Sequence, residues 1–136
     1  APKLGNTIVM ETGGMKGYRE ELPKELFHKI LCEGFGVEKI HSEYGMAELT
    51  SQAYSKGENR FYCPPWMRVL VRDVNDPFDV GRQPGRGGLN IIDLANYYSC
   101  AFLQTEDVGR CHSDGSFEVE GRIDHSEIRG CNLLVQ

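Results

Sequence analysis

The chain has 136 residues, 40% hydrophobic and 10% aromatic, enough for one ordinary domain with a core of its own. Its formal net charge is −5, and its lysines and arginines are scattered rather than gathered into a stripe, which argues against a nucleic-acid binder. No run approaches the roughly 18 consecutive apolar residues of a membrane span, and no basic-then-apolar leader opens the chain, so a cytoplasmic protein without a membrane span is expected.

In chain order, Asn6 to Glu11 (NTIVME) reads as a buried strand, closed by Thr12, Gly13 and Gly14. Leu22, Leu26, Phe27, Ile30 and Leu31 then recur at helical spacing, predicting one amphipathic helix over 22–32. Pro23 is acceptable in its first turn, and Gly34 to Gly36 supply the stop. Val37 to Ser42 is short and feeds a loop at Tyr44-Gly45, so the first third is β-α-β. From Phe61 onward, strand-like runs alternate with glycine and proline turns: 67–72, 89–94, 101–105, 116–120 and a short one at 127–129. The stretch 73–88 is rich in chain breakers, yet apolar runs flank it on both sides, so it is read as a long hairpin connection. The fold class expected is α+β: a β-α-β unit followed by a mainly antiparallel β-sheet or small barrel.

The five cysteines, Cys32, Cys63, Cys100, Cys111 and Cys131, form no CxxC pair, and their odd number leaves at least one thiol free, which fits a reducing compartment. Cys111 beside His112 is the one close pair of zinc-type ligands, with nothing to match it at finger-like distance.

Three short segments carry the chemistry. In Tyr44-Gly45-Met46-Ala47-Glu48 a carboxylate follows a strand-to-loop turn, where it can hold Mg2+ through oxygen, and an aromatic precedes it that can stack on a purine. A helix beginning at Met46 that merely favours an acid near its positive end is the plainer reading. In Thr105-Glu106-Asp107 an acid at a strand end can accept both hydroxyls of a ribose, against the alternative of an acidic surface turn. In Gly121-Arg122-Ile123-Asp124 the glycine permits close approach, and the arginine offers a planar fork of donors for phosphate or ribose oxygens. Cys131, after Arg129 and Gly130, lies in an electropositive setting that favours thiolate, although Leu133, Leu134 and Val135 beside it are equally compatible with a buried strand.

The three segments, in this order, resemble the adenylate-forming (acyl-activating) enzymes, in which aromatic-Gly-x-x-Glu is followed by Thr-x-Asp and then by Gly-Arg-x-Asp. The resemblance implies ATP and Mg2+ as cofactors and a fatty or other carboxylic acid as substrate. It places Glu48 in the catalytic, magnesium-holding role, Tyr44 and Gly45 on the adenine side, Asp107 and Arg122 on the nucleotide, and Asp124 at the hinge between large and small domains. Gly13 and Gly14 resemble the Gly-Gly segment near the acyl pocket. Residues 1–58 then end an α/β nucleotide-binding subdomain, and 59–136 form a β-rich subdomain running to the hinge and C-terminal tail.

The ending EIRGCNLL is similar to the tail of the acyl-protein synthetases of the bacterial fatty-acid reductase system, which implies Cys131 as acyl acceptor and a reductase as partner. Phenylacetate-CoA ligases share the motifs and pass the acyl group to coenzyme A instead; an inactive nucleotide-binding or interaction module is a third reading. The sequence departs from the pattern at Glu106, where glycine is usual, and after Asp124, where the run is short and lacks a lysine. The Ser/Thr/Gly-rich phosphate loop of the superfamily is not in these residues. The chain is therefore expected to be the C-terminal third of a longer ligase, unable by itself to form acyl-adenylate.

Overall fold

The computed structural model describes Leu4 and residues 7–13, 22–81 and 84–123. Eight strands and one α-helix follow in the order β1 (Met10–Thr12), α1 (Lys24–Phe35), β2 (His41–Tyr44), β3 (Ala53–Ser55), β4 (Phe61–Tyr62), β5 (Met67–Arg72), β6 (Gly85–Asp93), β7 (Phe102–Cys111) and β8 (Phe117–Arg122). A 3-10 turn, Leu94–Asn96, joins β6 to β7. The strands form one open sheet in the order β1-β2-β3-β4-β8-β7-β6-β5, parallel between β1 and β2 and antiparallel elsewhere. This is the α+β arrangement expected, with the parallel pair joined through α1. Among the described residues no helix is long and apolar enough to cross a membrane.

The sheet is rolled rather than flat. Tyr44 on β2 and Asp107 on β7 have β3, β4 and β8 between them, a separation of about 19 Å in a flat sheet. Their side chains are nevertheless hydrogen-bonded at 2.7 Å. Inside the roll lie Tyr44, Phe61, Val69, Val71, Leu89, Ile91, Cys111 and Phe117. Strand β5 shows how the sequence directs this: Met67, Val69 and Val71 point inward and Arg68 outward, the period of two that a pleated strand imposes. Phe61 stacks on Phe117 at 5.4 Å and Tyr44 meets the Phe117 edge at 5.2 Å, contacts worth about 1 kcal/mol each beyond their burial.

Several boundaries differ from the sequence reading. The first strand is only Met10–Thr12 and is an edge paired on one side, with Ile8 and Met10 exposed instead of buried. Helix α1 runs through Gly34 and stops at Gly36, whose φ of 65° lets its N–H return to the Cys32 carbonyl. Strand β2 starts at His41 and includes Tyr44, which is in the ladder and not in the loop. Strands β3 and β4 were too short to leave a pattern. Strands β6 and β7 run longer than their apolar cores, because Gly85 to Gly88 pair with Val108 to Cys111 despite their polar or glycine composition. The expected strand at 127–129, and Gly14, Asp124 and Cys131, lie outside the described residues.

One buried carboxylate joins the two ends of the roll. Asp93, at the end of β6, accepts from the backbone N–H groups of Thr50 (3.0 Å), Ser51 (2.8 Å) and Ala95 (3.1 Å) and from the Ser51 hydroxyl (2.7 Å). Trp66 Nε1 in turn donates to the Ser51 hydroxyl at 2.9 Å. Burial pushes the Asp93 pKa up, but the Ser51 hydroxyl and the three amides outweigh it and hold the carboxyl below its usual range.

Two outcomes follow. Gly109 passes so close to β8 that an added Cβ would lie 2.0 Å from the Glu118 carbonyl oxygen, so Gly109→Ala is expected to cost about 3 kcal/mol in a urea melt, the upper end for overpacking. Because the folded-state pKa of Asp93 is depressed, its contribution is complete above the unfolded value of about 4 and is lost as pH falls through the folded value. Asp93→Asn should therefore lower the melting temperature at pH 7, and the gap to wild type should narrow below about pH 4.

Candidate functional site

Tyr44 closes β2 with its ring held between Phe61 and Phe117, leaving 9% of the residue exposed. That packing aims the hydroxyl across the roll, where it donates to Asp107 Oδ2 at 2.7 Å. Burial raises the Tyr44 pKa far above its ordinary value, and the bond to the Asp107 carboxylate and that group's charge raise it further, so the hydroxyl stays a donor.

Asp107 pairs across the ladder with Arg122 on β8. The Arg122 guanidinium lies 3.6 Å from Asp107 Oδ1 and donates to Glu106 Oε2 at 3.1 Å. Three residues from three separate motifs thus meet: Tyr44, Asp107 and Arg122. A carboxylate offers about four acceptor positions, so Asp107 keeps capacity for further hydroxyl donors after binding Tyr44. Glu106, standing where glycine is usual, points its carboxylate at Arg122 and gives the arginine two acidic neighbours.

Glu48 is exposed on the turn that follows Gly45. Among the described residues its carboxylate has no hydrogen-bond or ion-pair partner, and no group of three acids, histidines or cysteines could cage a metal there. Its backbone, however, is braced: Asn96 Nδ2 donates to the Glu48 carbonyl at 2.8 Å, and the Thr50 hydroxyl donates to Asn96 Oδ1 at 3.0 Å. Gly45 runs close to Gln52, whose Cγ would be 3.1 Å from an added Cβ. Gly13, with φ of 75°, lies on the wall of an open cavity of about 500 Å³ together with Lys24, Phe27, Tyr44, Phe61 and Gly121. The cavity therefore brings one glycine of the Gly-Gly segment to the same space as Tyr44 and Gly121.

Sequence reasoning passed over the supports of this site. Asp93 and Asn96 hold the loop that carries Glu48, and Phe61 and Phe117 hold Tyr44. The legible signal for the first pair was an acid at a strand end just before the small and polar Ala95-Asn96, the chemistry of a side chain capping a turn. For the aromatics no local pattern existed, since their partners are remote in sequence.

No protein-family model matches the chain. Among curated proteins it is similar to the long-chain-fatty-acid–luciferin-component ligase of Vibrio harveyi, 26% identical over 137 aligned positions. That alignment takes in 92% of this chain and 35% of the relative, so the chain spans about a third of the relative's length. Among solved structures it is similar to coronafacic acid ligase from Pectobacterium brasiliense, with a TM-score of 0.60 and 18% identity over 90% of this chain and 25% of that one. It is also similar to O-succinylbenzoate coenzyme A synthetase from Bacillus subtilis, solved in complex with AMP, with a TM-score of 0.53 and 17% identity over 86% of this chain and 39% of that one. The rolled antiparallel sheet is a fold these ligases share, and the resemblance to the adenylate-forming superfamily first visible in three short motifs is shown by the sequence and structure comparisons together.

Proposed function

We propose that the chain is the nucleotide-contacting C-terminal part of an ATP-dependent acyl-activating enzyme that passes its acyl group to a protein thiol. The observation that supports this reading best is the contact among Tyr44, Asp107 and Arg122, three motif residues remote in sequence and joined by the roll of the sheet. In the proposed reaction a carboxylate oxygen of a fatty acid attacks the α-phosphorus of ATP, the bond to the bridging oxygen breaks, and pyrophosphate leaves. The Cys131 thiolate then attacks the acyl carbon, the bond to the phosphate oxygen breaks, and AMP departs; the thiol proton goes to solvent.

Asp107 accepts the ribose hydroxyls, Arg122 contacts the nucleotide beside it, Tyr44 and Gly45 lie on the adenine side, and Gly13 and Gly14 border the acyl pocket. Positioning of this kind is the protein's main contribution to phosphoryl and acyl transfer. A single exposed carboxylate on a braced loop suits Mg2+, which keeps most of its waters and takes one or two carboxylates beside substrate phosphates. Glu48 fits that description, and the ion would neutralise charge on the phosphates. Asp124 serves as the hinge, and the reductase that receives the acyl group is the proposed partner.

Titration of the chain with AMP should show binding that Asp107→Ala weakens roughly tenfold or more, the scale of a lost hydrogen bond to a charged group. Tyr44→Phe keeps the ring and frees Asp107, and should weaken AMP less than Asp107→Ala does. Incubation with a preformed fatty acyl-adenylate should add one acyl mass to the chain, and Cys131→Ser should remove it. With ATP and free fatty acid the isolated chain should release no pyrophosphate. AMP binding unaffected by Asp107→Ala, or acylation that survives Cys131→Ser, would defeat the proposal.

A further inference from the structure

Strand β7 is not regular where it carries Asp107. Between the pairs Gly88↔Val108 and Asn90↔Gln104, β6 contributes only Leu89 while β7 contributes Thr105, Glu106 and Asp107. The ladder is therefore split open at the Thr105-Glu106-Asp107 segment, and a bulge of this kind turns side chains away from their regular alternation. It also leaves buried backbone oxygens without ladder partners, a cost that has to be met by some other donor.

The donor is Arg72, at the end of β5. Its side chain is buried, 4% exposed, and lies against Gly88, where an added Cβ would sit 2.5 Å from Arg72 Cζ. Among the described residues it has no carboxylate partner. Its Nη1 donates to the Leu89 carbonyl at 3.1 Å and to Asn90 Oδ1 at 2.9 Å, and its Nη2 donates to the Thr105 carbonyl at 2.7 Å. The fork thus bridges both lips of the opened ladder, Leu89 on β6 and Thr105 on β7. The Thr105 hydroxyl donates to the same Leu89 carbonyl at 2.8 Å and accepts from the Asp107 N–H at 3.1 Å. A continuous chain of hydrogen bonds leads from the guanidinium to the backbone of Asp107.

We infer that Arg72 is a positioning residue for Asp107, holding the bulge open so that the Asp107 carboxylate faces the ribose hydroxyls; this rests on the nucleotide reading above. A lysine keeps the charge but cannot bridge two carbonyls with one rigid plane. The role is one of aim, so it acts on recognition of the ribose and not on the remainder of the nucleotide.

The test compares AMP with 2′,3′-dideoxy-AMP by calorimetry. Wild type should prefer AMP by about tenfold or more, the scale of hydrogen bonds to a carboxylate. Arg72→Lys, shown by circular dichroism to be folded, should reduce that preference to about twofold or less while dideoxy-AMP affinity stays unchanged. Thr105→Val, which removes the linking hydroxyl at constant shape, should do the same, and Thr105→Ser should restore the preference; this pair decides the matter if Arg72→Lys does not fold. Wild type indifferent to the ribose hydroxyls would overturn the nucleotide reading and this inference with it. A full preference retained in folded Arg72→Lys, or in Thr105→Val, would overturn the inference alone.

Discussion

The hydrogen bond between Tyr44 and Asp107 is possible only because the sheet is rolled, and the roll is the constraint on which the site depends. A flat sheet would hold the two motifs several strand spacings apart. The aromatic group of Tyr44, Phe61 and Phe117 fills the interior of the curve, and burying these rings gives the roll much of its driving force. The same rings fix the direction of the Tyr44 hydroxyl, so the packing that stabilises the fold also aligns a polar group of the site.

The two buried charged side chains among the described residues, Asp93 and Arg72, are well satisfied. Asp93 has four donors and Arg72 has three neutral acceptors, so neither leaves a buried charge without hydrogen bonds. Asp93 acts at the end of β6 and Arg72 at its middle, beside Leu89 and Asn90. One ties the loop after Glu48 to the strand end, and the other bridges the opened ladder beneath Asp107. Strand β6 is therefore the common support for the loop that carries Glu48 and for the bulge that carries Asp107.

Glycine makes these close approaches possible. Gly88 leaves room for the Arg72 guanidinium, and Gly109 lets β7 meet β8 at a distance that no side chain tolerates. By composition the run from Asp73 to Gly88 looks like linker, and its end from Gly85 onward is instead strand, because a missing Cβ there is a packing requirement and not a sign of a turn. Helix α1 shows the reverse case. Its apolar stripe was plain in the sequence, yet Leu26 and Ile30 stay half exposed, since among the described residues little packs against them.

The sequence by itself determined the fold class, the strand at 67–72 and the three motifs, because each is written in local spacing: period two along β5, helical period along α1, and short runs of acid, glycine and arginine. It could not determine that Tyr44, Asp107 and Arg122 touch, nor that Arg72, Asp93, Phe61 and Phe117 support them. Those relations join residues many positions apart, and a pairing register or a sheet's curvature leaves no mark in any one segment. Only the tertiary structure decided them, through the bulge that shifts β7 against β6 and the aromatic packing that bends the sheet until β2 meets β7.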